Sequence, residues 1–222
     1  MGPTAETANR VTGASHGLRR ASERDTAMPA DGRTARSVRT REAVVEALLD
    51  LLSEGNPRPT AREIAEQAGV SVRSVYVHFD DLEDLFLAAT GRLLERIEPL
   101  AAPVPSDGPL GERVTAFTAR QAKVLDATAP VRLAASLQAP FSPVIARVHT
   151  EVYLASLVEL ERVFGTELDR LRDPDRRRLL LSLEVITSGT AWNTLRTDAH
   201  LSFAEGEALM RDHLTQLLSR RP

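Results

Sequence analysis

A chain of 222 residues with 42% hydrophobic residues and a formal charge of −3 has enough apolar material for a real core, in one large domain or in a small domain joined to a larger one. It contains no cysteine, which excludes disulfide frameworks, thiolate metal sites and cysteine nucleophiles and fits a reducing compartment. Its five histidines, His16, His78, His149, His200 and His213, form no His-x-x-x-His pair, so neither a metal site nor a cofactor is expected. No segment approaches the ~20 apolar residues of a spanning helix, and the N-terminal stretch lacks the apolar block of a signal peptide. The expectation is therefore a cytoplasmic protein with no membrane partner. Basic residues number 11 against 10 acids over residues 1–79 and 17 against 21 over residues 80–222, a mild polarity that leaves room for a local basic surface.

In chain order, residues 1–37 mix small residues, arginines and scattered acids without helical or strand period and read as a flexible tail. Gly13-Ala14-Ser15-His16-Gly17 within it satisfies the G-x-S-x-G pattern of a hydrolase elbow. That elbow needs a buried strand before it and a helix after it, and neither flank is present. From residue 40 Val44, Val45, Leu48, Leu51 and Leu52 trace one face of an amphipathic helix, stopped by Gly55 and Pro57. Thr60-Ala61-Arg62-Glu63 is a capping box opening a short helix, which ends at Gly69, where positive φ turns the chain. Ser71 caps the next helix, whose apolar positions Val72, Val75 and Phe79 predict its core face. Asp80 to Glu83 offers another capping box, followed by a stripe of Leu82, Leu85, Phe86, Ala89, Leu93 and Ile97. After a proline-rich loop at 101–109, start signals predict helices near 110–127, 130–138, 142–165, 173–197 and 202–220. No strand alternation and no repeat appears, so the chain is expected to be all-α.

Two short helices joined by a turn at Gly69-Val70 make a helix-turn-helix, whose second member can enter a major groove. An ordinary three-helix packing unit would share its apolar positions. The second helix, however, leaves Arg73, Ser74, Tyr76 and His78 facing elsewhere, and these are donors suited to base edges and phosphates. Arg33, Arg36, Arg39 and Arg41 precede or open the first helix and read as a basic arm for phosphates or a minor groove, the alternative being a solvated arginine-rich tail. Arg39, Thr40 and Arg41, nearest that helix, are the candidates kept from it.

The run from Thr60 to Phe79, with its Ile64-Ala65, Ala68-Gly69-Val70-Ser71 and Tyr76-Val77-His78-Phe79 elements, followed by Asp80-Asp81-Leu82, resembles the DNA-binding domain of the TetR family of transcriptional regulators over about residues 37–97. The resemblance implies that Thr60 and Tyr76 approach phosphates, that His78 meets the DNA backbone at the helix end, and that Ser71, Arg73 and Ser74 face bases. Arg73 is the best candidate for direct readout of a guanine. Many relatives carry a lysine where this chain has Leu82, which predicts a weaker phosphate contact there.

The remainder resembles the family only in its helix count and loosely around Ala191 to Arg196. Its helix at 173–197 and final helix carry more apolar surface than one intrachain neighbour covers, as a homodimer would need. Phe117, Gln121, His149, Tyr153 and Trp192 are the candidate lining of a small-molecule pocket, with core packing as the alternative for each. The expected organisation is a tail at 1–37, a three-helix DNA-binding domain at 38–97 and a larger helical bundle at 98–222 for ligand sensing and dimerisation. The expected activity is that of a repressor released from a near-palindromic operator on double-stranded DNA by a small-molecule effector. An effector-independent regulator with a filled bundle is the alternative, and no convergent acid, base and nucleophile set points to an enzyme.

Overall fold

A computed structural model describes residues 32–219, so the G-x-S-x-G stretch and most of the expected tail lie outside the described residues. Every regular element among the described residues is helical. They run as α1 (Gly32–Ser53), α2 (Ala61–Ala68), α3 (Val72–His78), α4 (Leu82–Ile97), α5 (Leu110–Gln138), α6 (Pro143–Leu168), α7 (Asp173–Thr187), α8 (Gly189–Asn193) and α9 (Phe203–Ser219), with short 3-10 turns after α4 and α5 and a π-helical turn after α8. None of these helices is long and apolar enough to cross a membrane. The chain divides into two compact units, one made of the residues through Arg96 together with Leu133–His149, the other of Ile97–Arg132 and the residues from Thr150 onward. A single boundary near residue 97 is the sequence expectation; instead α5 and α6 are helices, α6 kinked at Phe164 (φ −115°, ψ 18°), that each contribute to both units.

In the first unit α1 packs on α2 and α3, and α2 on α3. Its buried face is the one the 3.6-residue period marks: Val44, Leu48 and Leu52 from α1, Ile64 and Ala65 from α2, Val75 from α3, and Leu85, Phe86 and Ala89 from α4. The first helix starts at Gly32, earlier than the expected tail boundary, but residues 36–39 are exposed, so this opening segment holds no core position. Asp81 rather than Asp80 opens α4, its carboxylate accepting from the Asp84 N–H at 2.8 Å. Glu46 on α1 accepts from Arg92 at 3.0 Å and also pairs with Arg96, both on α4.

The second unit is built on Val114, Phe117, Leu160, Val163, Phe164, Leu183, Trp192, Met210 and Leu214. Two expected breaks fall differently. A gap before Pro130 is absent, and α5 runs through the proline. A proline inside a helix removes a backbone donor and crowds the preceding turn. Here neighbouring carbonyls gain side-chain donors: Thr128 Oγ1 gives to Val124 O at 2.7 Å and Arg132 Nη2 to Leu125 O at 2.7 Å. Conversely, the single helix expected over 173–197 breaks at Ser188, whose extended backbone (φ −72°, ψ 157°) ends α7 and whose hydroxyl caps α8 through the Ala191 N–H.

Gly189 sits at that break against the Arg132 guanidinium. A Cβ at this position would lie 1.7 Å from Arg132 Nη1, so only glycine lets the arginine settle there. Burial pushes the Arg132 pKa down to about 10, against the opposing attraction of Asp126. A second cation, Arg113, is buried outright and forms a bidentate pair with buried Glu167 at 2.6 and 3.0 Å, while also donating to Val163 O and Gly108 O.

Candidate nucleic-acid interface

Helices α2 and α3 are capped by hydrogen bonds between residues three or four apart in sequence. Thr60 caps α2 with a complete capping box: its Oγ1 accepts from the Glu63 N–H at 3.3 Å, and its own N–H gives to the Glu63 carboxylate at 2.7 Å. The Thr60 hydroxyl also donates to that carboxylate at 2.6 Å, so its proton is already committed. These hydrogen bonds from Thr60 hold the Glu63 carboxyl below its ordinary pKa, the side-chain bond more strongly than the backbone one, with a smaller contribution from Asn56. Gly69 then closes α2 in the left-handed region, at φ 66° and ψ 32°, where its N–H returns to Ala65 and Glu66.

Val70 carries the chain to Ser71, the cap of α3, whose side chain accepts from the Ser74 N–H at 3.1 Å. The Ser71 and Ser74 hydroxyls also bond each other at 2.9 Å. Helix α3 ends when the Phe79 N–H reaches Val75 O at 3.0 Å and Phe79 turns extended. Val75 and Phe79 are thereby buried to 1% and 2% exposure, and the rest of α3 faces outward.

Arg73 and Ser71 are exposed, Ser74 and His78 partly buried, and Tyr76 is 52% exposed although it is an aromatic residue. Val72, expected in the core, is 40% exposed. It stands at the first turn of a seven-residue helix, and the buried positions are Val75 and Phe79. Val77, which the sequence reading passed over, is 70% exposed. The arm candidates lie on α1. Arg41 stands over the Phe79 ring, 4.8 Å from its centroid, which ties the helix carrying the arm to the end of α3. Arg39 Nε gives to Ala35 O at 3.3 Å and Thr40 Oγ1 to Arg36 O at 3.0 Å, local bonds along one helix. Leu82, at the start of α4, is partly buried.

The five pocket candidates differ in burial and in partners. Phe117 and Trp192 are 2% and 0% exposed, Phe117 packed edge-on to Phe164 and Trp192 to Phe203, with the indole N–H giving to Asp126 at 3.2 Å. The Gln121 amide gives to Thr187 O at 2.9 Å. His149 and Tyr153 lie exposed on α6. A cavity of about 370 Å³ does open in the first unit, lined by Leu48, Leu52, Ile64, Leu85 and Phe86 with Arg58 at its polar edge, and none of the five candidates borders it. Among the described residues no group of three or more His, Asp or Glu side chains is placed to hold a metal.

A capped helix pair joined at a left-handed glycine, with a polar and aromatic face turned outward, has the geometry of a helix-turn-helix. Residues 44–89 match the model of the bacterial regulatory proteins of the tetR family. The fold is similar along most of the chain to a solved transcriptional regulator of a Rhodococcus species, with a TM-score of 0.64 at 20% identity over 82% of this chain and 99% of the other. A TetR-family regulator of Mesorhizobium loti gives 0.60 at 20% identity over 83% and 97%, and a transcriptional regulator of Streptomyces coelicolor gives 0.55 at 24% identity over 82% and 99%. At such identities these structures share the fold alone. Comparison with curated proteins returned no match.

Proposed function

We propose that this chain is a homodimeric, sequence-specific repressor that binds a near-palindromic operator through α3 and leaves it when a small molecule binds the larger helical unit. One observation carries the DNA-binding part: α3 buries only Val75 and presents Arg73 and Tyr76 to solvent from a helix fixed at both ends by its own caps. An arginine so placed can give two parallel hydrogen bonds to guanine O6 and N7, while Tyr76, His78 and the arm residues Arg39, Thr40 and Arg41 meet phosphates and Ser71 and Ser74 stay near base edges. Leu181 and Val185, 38% and 61% exposed and four residues apart on α7, support a partner helix across a two-fold axis. Two heads so related would read half-sites about one DNA turn, ~34–36 Å, apart.

The test is selection of bound duplexes from a random pool followed by anisotropy titration at several salt concentrations. The wild-type chain binds the selected duplex with affinity that falls as salt rises. Absence of any salt-sensitive preference for one duplex over another would remove the reading.

A second reading, an effector-independent regulator with a filled bundle, is favoured by the packing of Phe117 and Trp192 and by the occupied amide of Gln121. Screening a library of apolar and amphipathic small molecules against the protein–operator complex separates the two. Release by a compound that also raises the melting temperature of the free protein supports the effector. A library that moves neither quantity supports the filled bundle.

A further inference from the structure

The outward face of α3 contains a side chain for which neither packing nor helix stability gives a reason. Val77 is 70% exposed. It stands two residues after Val75 and two before Phe79, and two residues on a 3.6-residue turn is roughly 200°, so Val77 points away from both of the buried anchors of its helix. It is also one turn beyond Arg73 and Ser74, at the i+4 and i+3 positions, and therefore shares their face. A β-branched residue is among the poorer helix formers, and a bare isopropyl group gains nothing in water. Lysine, glutamate or alanine would serve a merely solvated position better. Neither Arg73 nor Tyr76 covers Val77, whose exposure exceeds that of Val72 and Tyr76 on the same helix.

We infer that Val77 is a specificity-determining residue that reads the C5-methyl group of a thymine in the operator, beside the guanine read by Arg73. This rests on the proposal that α3 enters the major groove. In that groove thymine is the base that offers a methyl group, and apolar side chains recognise it by contact rather than by hydrogen bonding. The spacing is set by the helix. Val77 lies four residues along α3 from Arg73, about 6 Å at 1.5 Å per residue, and base pairs follow every ~3.4 Å, so the thymine falls about two base pairs from the guanine. The face then has a divided task. Arg73 supplies directional bonds to one base pair, and Val77 supplies an apolar patch that favours a T·A pair over C·G, where a methyl is lacking.

The experiment uses the full chain and the duplex selected above. Each thymine of the half-site is replaced in turn by deoxyuridine, which deletes the methyl and keeps the base pairing, and affinity is read by anisotropy for wild type, Val77→Ala and Val77→Thr. One thymine per half-site, about two base pairs from a guanine whose replacement by 7-deazaguanine is silent in Arg73→Ala, weakens wild-type binding about three- to fivefold when its methyl is lost. Val77→Ala binds the thymine and deoxyuridine duplexes alike, and Val77→Thr, which keeps one methyl, falls between. A selected operator with no methyl-sensitive thymine, or a methyl effect that persists undiminished in Val77→Ala, overturns the inference and leaves DNA reading by α3 standing. Failure to select any duplex overturns both.

Discussion

The two units solve the problem of placing polar groups in opposite ways. In the helix pair α2 and α3 the capping hydrogen bonds span three or four residues: Thr60 with Glu63, Ser71 with Ser74, Gly69 with Ala65. Beside these caps the side chains of Arg73 and Tyr76 end in water. In the larger unit the polar groups are partnered across long stretches of chain, Arg113 with Glu167, Trp192 with Asp126, Gln121 with Thr187. Arg113 and Glu167, buried on both sides, cannot fall back on solvent, and a missing partner there is costly. The contrast teaches that substitutions at the outward side chains of α3, such as Arg73, should change binding with little loss of stability, whereas those at the caps and the buried partners should change stability first.

The strongest way to break that contrast is Glu167→Ala, which strands the Arg113 guanidinium in the core. A loss of about 3–5 kcal/mol is expected in urea denaturation, and a double replacement of Arg113 and Glu167 by methionine should recover most of it. An unchanged midpoint for the single variant would mean that water reaches the arginine. Next comes Gly189→Ala, whose methyl would expel Arg132 from its seat and with it the bonds to Leu125 O and Thr128. About 1–3 kcal/mol of thermal stability should go, and removing the arginine as well should relieve the clash.

Arg73→Ala sharpens the other side of the comparison. Operator affinity should fall by about 1–3 kcal/mol, roughly 5- to 150-fold, with unfolding unchanged within about 0.5 kcal/mol. Thr60→Ala removes a cap and should cost about 1 kcal/mol of stability, seen in a chevron or melt. The smallest effect is one of pH. The folded Glu63 carboxyl titrates below its unfolded value, so its stabilising contribution is complete above the unfolded pKa and disappears as pH falls through the folded one. Wild type should therefore lose its advantage over Glu63→Gln in acid, and a constant difference between the two melts from neutral to acidic pH would contradict the capping role.

Much of the head was legible because its code is local. The capping box at Thr60, the glycine at 69, the Ser71 cap and the anchors Val75 and Phe79 lie within 20 residues, and each acts on backbone groups next to it. Val72 shows the limit: its apolar character fits the helical period, yet an end position on a seven-residue helix leaves it 40% exposed. Val77 was missed for the converse reason, since an apolar residue carries no visible chemistry until its direction is known.

The amino-acid order alone determined the helical class, the cap-defined helix-turn-helix and the outward setting of Arg73, because hydrogen bonds between near neighbours and a 3.6-residue period are written in adjacent residues. Tertiary structure alone decided that α5 passes through Pro130, that the chain breaks at Ser188, and that Phe117 and Trp192 are packed rather than left to line an open space. In those places the deciding partners are Arg132 against Gly189, Phe117 against Phe164 and Trp192 against Phe203. Groups that meet only after the chain has folded back leave no local pattern in the sequence.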